Sequence, residues 1–147
     1  MLTIINKIKC NLNLVIVSAA LCSAAALAET PSAPDLAALA DHSFRSAEDK
    51  ARNQYRHPVE TLTFFGIKPN MSVLEIWPAR GWYTDILAPY LKEQGKLSIA
   101  NFRVDDGTMQ DDRKIFWSRI SEKLSQRILQ HKDHFGTVSV SYTHLTL

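Results

Sequence analysis

The chain reads as an α/β protein with about three parallel strands and flanking helices. Three observations predict this class. Runs at 72–76, 96–101 and 137–143 have the length and apolar content of strands, and the last alternates Val138, Val140 and Tyr142 with polar residues. Segments of helical spacing lie between them, the longest repeating Phe116, Ile120, Leu124 and Ile128 every four residues. The stretch 72–91, SVLEIWPARGWYTDILAPYL, reads as strand, tight turn and helix, the first half of a βαβ unit.

Residues 1–28 carry the pattern of an export signal. Lys7 and Lys9 precede a charge-free apolar run from Leu14 to Leu27, and Ala26-Leu27-Ala28 supplies a signal peptidase site. The protein is expected in the periplasm, without a stable membrane anchor after cleavage; a retained anchor is the alternative. Cleavage removes both cysteines, Cys10 and Cys22, so the mature chain has no disulfide, thiol nucleophile or thiolate ligand. It also removes two of 17 basic residues, leaving 15 against 15 acids. Near-neutrality gives no electrostatic case for nucleic acid as a partner. A small-molecule ligand is the partner expected.

Residues 29–57 read as a linker with a weak helix over Asp35 to Tyr55. Its charges, Arg45, Lys50, Arg52 and Arg56 among Glu48 and Asp49, read as a solvated face. His57 enters a firmer helix with Pro58 at its first position and Glu60 in its first turn. Val59, Leu62, Phe64 and Phe65 are its expected buried side, and Gly66 its left-handed stop. After a Lys68-Pro69-Asn70 turn, the first strand runs to Ile76. Leu74 and Ile76 are expected to be buried.

The crossover helix is expected over Trp82 to Glu93, with Pro89 inside it and Trp82, Ile86, Leu87, Tyr90 and Leu91 on its apolar face. The second strand follows at Lys96 to Asn101, then a polar loop with Asp105-Asp106-Gly107 as turn signal. Asp111-Asp112 opens the long helix, with Trp117 and Leu129 widening its stripe. His131 and Lys132 suit its end. His131 and His134 have metal-ligand spacing, but no third ligand is evident; a solvated helix end is the plainer reading.

The stretch HPVETLTFFGIKPNMSVLEIWPARGWYTDILAPYL resembles exported bacterial proteins classed as class I S-adenosylmethionine-dependent methyltransferase-like, from Arg56 to about Leu97. The resemblance implies a Rossmann-like sheet. It also implies that the loop after the first strand cradles the methionine part of S-adenosyl-L-methionine. Most such loops read acid-x-Gly-x-Gly-x-Gly. Here Glu75 aligns with the acid and Trp77, Ala79 and Gly81 with the glycines. Ala79 and Arg80 replace the Gly-Gly usual in this branch. Glycine serves where a Cβ would crowd the ligand or forbid the backbone angle; the added methyl of Ala79 suits a negative φ. By the same resemblance Trp82 follows in the binding loop, and Asn101 stands where an acid usually closes the second strand and holds the ribose. No catalytic residue is identified, since methyl transfer demands positioning more than side-chain chemistry.

A full domain of this kind has about seven strands in the order 3-2-1-4-5, with strand four beside strand one. Only three are evident in residues 58–147, and the tail SVSYTHLTL looks like translated adapter sequence. The chain is therefore expected to be a partial, truncated domain lacking its C-terminal half. The alternative is a genuine third strand. Three readings stay open: a methyltransferase, which the family resemblance favours, a non-catalytic exported binding module, or a fragment with no independent function. The substitutions at Ala79, Arg80 and Asn101 favour the second, as does export away from the compartment where the cofactor is made.

Overall fold

The structure is a computed structural model and describes residues 34–105 and 107–143. The proposed export signal, Asp106 and the last four residues lie outside the described residues.

Three strands form one open sheet in the order β1-β2-β3: β1 (Ser72–Ile76), β2 (Lys96–Phe102) and β3 (Val138–Thr143). Both pairings are parallel, with Val73 opposite Leu97 and Leu97 opposite Val138. The helices in between are α5 (Thr84–Leu91), α6 (Asp112–Gln130) and α7 (Lys132–Phe135). Alternation in β1 and β2 turns Val73, Leu97 and Ile99 to one face, where Val138 and Val140 join them. That face meets Ile86, Leu87 and Leu91 of α5, Leu124 and Ile128 of α6, and Phe135 of α7. The mixed α/β class, the parallel strands and the flanking helices agree with the sequence.

Leu74 and Ile76 depart from expectation. They lie in β1 but are 59% and 68% exposed. They point to the face opposite the helices, and among the described residues the other edge of β1 has no partner strand. Doubly covered parallel strands bury both faces; β1 buries one.

Helix α5 begins two residues later than predicted and ends at Leu91, carrying Pro89 within it. Its predicted face is buried, and so are Thr84, Asp85 and Ala88. Helix α6 starts at its predicted N-cap, where Asp111 accepts from the N–H groups of Arg113 and Lys114. Those two bonds hold the Asp111 carboxyl below the usual carboxylate range. Its four-residue stripe does not all reach the core. Leu124 and Ile128 are buried, Ile120 is half-buried, and Phe116 and Leu129 are exposed. Each four-residue step turns about 40° beyond a full circle, so Phe116 lies about 120° round from Ile128. Ser118 and Ser121 take the buried positions instead, and Ser121 Oγ donates to the Phe102 carbonyl at 2.6 Å.

The segment before β1 is not one weak helix but three short ones, α1 (Leu36–Ala40), α2 (Ala47–Ala51) and α3 (Asn53–Arg56). Ser46 caps α2 through the Asp49 N–H. Helix α4 (Pro58–Phe64) follows His57, whose φ is +43°, and stops before Gly66 at φ +65°. Pro58 and Leu62 are buried there, whereas Phe64 and Phe65 are exposed.

Candidate functional site

Strand β1 ends by handing its backbone to β2: the Trp77 N–H donates to the Ala100 carbonyl at 2.8 Å. The chain then turns through the left-handed region at every second residue, with φ +53° at Trp77, +53° at Ala79 and +87° at Gly81. These are the three positions aligned with loop glycines. The backbone therefore keeps a glycine conformation where two residues carry a Cβ, against a penalty of about 1–2 kcal/mol each. Ala79 does not take the negative φ at which its added methyl would be tolerated. Pro78 between them is buried, and its carbonyl accepts from the Gly81 N–H at 2.8 Å. Among the described residues, the N–H groups of Ala79 and Arg80 have no backbone partner.

Gly81 has a packing reason of its own. A Cβ there would lie 2.6 Å from Leu124 Cδ1 and 2.9 Å from an Arg127 nitrogen. The glycine thus makes room for α6. Arg127 also fixes the loop by donating to the Arg80 carbonyl at 2.9 Å and to Asp85 Oδ1 at 2.8 Å. Asp85 is fully buried at the start of α5. Burial raises its carboxyl to about 6, while Arg127 and then Arg45 pull it back.

Glu75, one residue before the end of β1, accepts from Thr84 Oγ1 at 2.7 Å, tying the strand to the first residue of α5. Burial pushes its carboxyl to about 7, the Thr84 bond opposing and the charge of Asp85 reinforcing the rise. The shift moves its titration from the acid range up toward neutral pH.

Trp82 anchors the loop to the N-terminal helices. It is buried, its Nε1 donates to the Asp49 carbonyl at 3.0 Å, and Arg45 and Arg56 lie over the ring at 4.7 and 4.4 Å. Arg45 is buried rather than on a solvated face. It donates to the Ala40 carbonyl and to Asn53 Oδ1, and desolvation lowers its pKa. The spacing of Arg45 in sequence gave no sign of this, because its partners come from the end of α1, from α3 and from the loop.

A cleft of about 480 Å³ opens at the carboxyl end of β1. Glu75, Trp77, Ala79 and Trp82 line it, with Arg52 and Arg56 on one side and Phe116 and Trp117 on the other. Trp77 meets Trp117 edge-on at 5.2 Å. Four of the six sequence-predicted residues thus share one cavity. Gly81 and Asn101 stand outside that lining. Asn101 does not close β2, which runs on to Phe102, and its Oδ1 accepts from the Phe102 N–H at 2.9 Å. Sequence reasoning missed Arg52, Arg56, Phe116 and Trp117, which had been assigned to a solvated face and to the core. His134 stacks on Phe44 at 3.9 Å, and burial lowers its pKa. Among the described residues no group of three or more His, Cys, Asp or Glu side chains is placed to hold a metal.

A scan against protein-family models, a search of curated proteins and a search of solved structures each returned no match.

Proposed function

We propose that the cleft at the end of β1 binds S-adenosyl-L-methionine and that the sheet is part of a Rossmann-like methyltransferase domain. The observation that carries this reading is the repeated left-handed backbone at Trp77, Ala79 and Gly81, three turns a glycine-rich cofactor loop would make. The residues fit the group in three respects. The cleft has room for a small ligand at about 480 Å³. The free N–H groups of Ala79 and Arg80 can donate to a carboxylate. Glu75 can hold a cationic amine when ionised, and Trp77 offers a flat apolar face. When bound, the cofactor supplies an electrophilic methyl group; the chain's own part is to orient it and exclude water. The exposure of Leu74 and Ile76 counts against both the kinship and the pocket, which were expected to rest on a buried β1, so the reading rests on the loop alone.

Calorimetry of S-adenosylmethionine against the full chain tests it. Saturable heat is expected, with proton release near neutral pH, because a cationic ligand beside Glu75 favours the carboxylate and so opposes the burial that raises its pKa. Absence of heat at millimolar ligand removes the proposal.

A second reading is a non-catalytic binding module, exported if residues 1–28 act as a signal. Ala79 and Arg80 favour it, since side chains there narrow the cradle. On that reading the double variant Ala79→Gly/Arg80→Gly gains no affinity for S-adenosylmethionine. A gain would instead mark a decayed cofactor site.

A further inference from the structure

A second hollow, also about 480 Å³, lies on α6 beside the cleft. Its rim carries Arg80, Arg119, Lys123 and Arg127, its floor is Phe116, Ile120 and Leu124, and no acid lines it. We propose that this hollow binds a small molecule bearing a multiply charged phosphoryl group, with an apolar body lying over Phe116 and Ile120. The inference is independent of the cofactor reading.

Two features set the hollow apart from an ordinary solvated helix face. First, Arg119, Lys123 and Arg127 stand four residues apart on one face of α6, where like charges repel. Asp85 neutralises Arg127. Arg119, Lys123 and Arg80 form no ion pair among the described residues. Glu122, the acid between Arg119 and Lys123, accepts from Gln126 at 3.2 Å and lines neither hollow. Three cations thus converge without a counter-charge, and an oxyanion would supply it. Second, Arg80 comes from the strained loop, whose carbonyl at that residue is pinned by Arg127. The fourth cation therefore comes from a loop backbone that Arg127 holds and not from helix periodicity. Planar guanidinium groups suit phosphoryl oxygens, which accept paired bonds. The exposed Phe116 ring gives the same hollow an apolar wall that a bare inorganic ion would not use. Arg80, Phe116 and Ile120 line both hollows, so the two adjoin.

The test is calorimetry of the full chain with inorganic pyrophosphate at fixed ionic strength. The parent is expected to bind pyrophosphate saturably. Arg119→Gln/Lys123→Gln should weaken it at least tenfold, and Arg80→Gln alone should weaken it measurably. All three side chains are exposed, and circular dichroism confirms that each variant keeps its fold. Lys132→Gln, an exposed cation outside the hollow, should bind as the parent does. Absence of binding, an unaffected Arg119/Lys123 variant, or an equal loss in Lys132→Gln overturns the proposal. So does co-sedimentation with phosphatidylglycerol vesicles by a chain that ignores pyrophosphate, which would identify a membrane-surface patch instead.

Discussion

Ala79 and Gly81 show how one backbone conformation can be held for different reasons. At Ala79 the left-handed φ of +53° is strained and the residue half-buried. Ala79→Gly is therefore expected to stabilise the fold by about 1 kcal/mol, read as a higher denaturant midpoint at unchanged m. Gly81→Ala should cost roughly 2–4 kcal/mol, because strain at φ +87° adds to the collision with Leu124. Glu75 contributes to pH dependence. Its folded pKa of about 7 exceeds the ordinary 4.5, so the folded state holds the proton more tightly. The stability this gives is fully present below about 4.5 and is lost as pH rises through about 7. Glu75→Gln should flatten the decline in unfolding free energy over that window. Some slope will remain, since Asp85 is shifted in the same direction. A decline as steep in Glu75→Gln as in the parent would contradict the assignment.

At the scale of elements, the loop from Trp77 to Tyr83 is where the N-terminal helices, α5 and α6 meet. Trp82 joins it to α2 and α3, and Arg127 joins it to α6. Trp82→Ala should cost about 3–5 kcal/mol and raise the protease sensitivity of residues 41–57 before the rest unfolds. The existence of α4, β1, α5, β2, α6 and β3 was legible because each has its own period, and some their own punctuation: Pro58 and Gly66 around α4, Asp111 before α6. What was not legible follows from tertiary context. A four-residue stripe predicts a helix but not which part of it faces the core, and so Phe116 was assigned inward. Arg45 and Arg56 read as surface charge because nothing local marks the ring of Trp82 as their partner. The site followed the same rule. Glu75, Trp77, Ala79 and Trp82 sit on one contiguous stretch and were found together, while Arg52, Arg56 and Trp117 arrive from distant segments.

For the molecule as a whole, the parallel order β1-β2-β3 places every strand's carboxyl end on one side. Cleft and basic hollow both open beside the loop that follows β1, where parallel α/β sheets commonly hold ligands. The apolar run in β1 was expected to be covered on both faces, and it is not. The alternation alone favours Leu74 and Ile76 as the buried set, since the other set carries Glu75, but the structure turns Val73 and Glu75 toward the helices. The loop from Trp77 to Gly81 carries the cofactor reading. Amide chemical-shift mapping during titration with S-adenosylmethionine tests it most directly. The account predicts that the Ala79 and Arg80 amides, which have no backbone partner, move most. Trp77 and Gly81, bonded to Ala100 and Pro78, should move less. Perturbations confined to residues away from 75–84, or none at millimolar ligand, would contradict it.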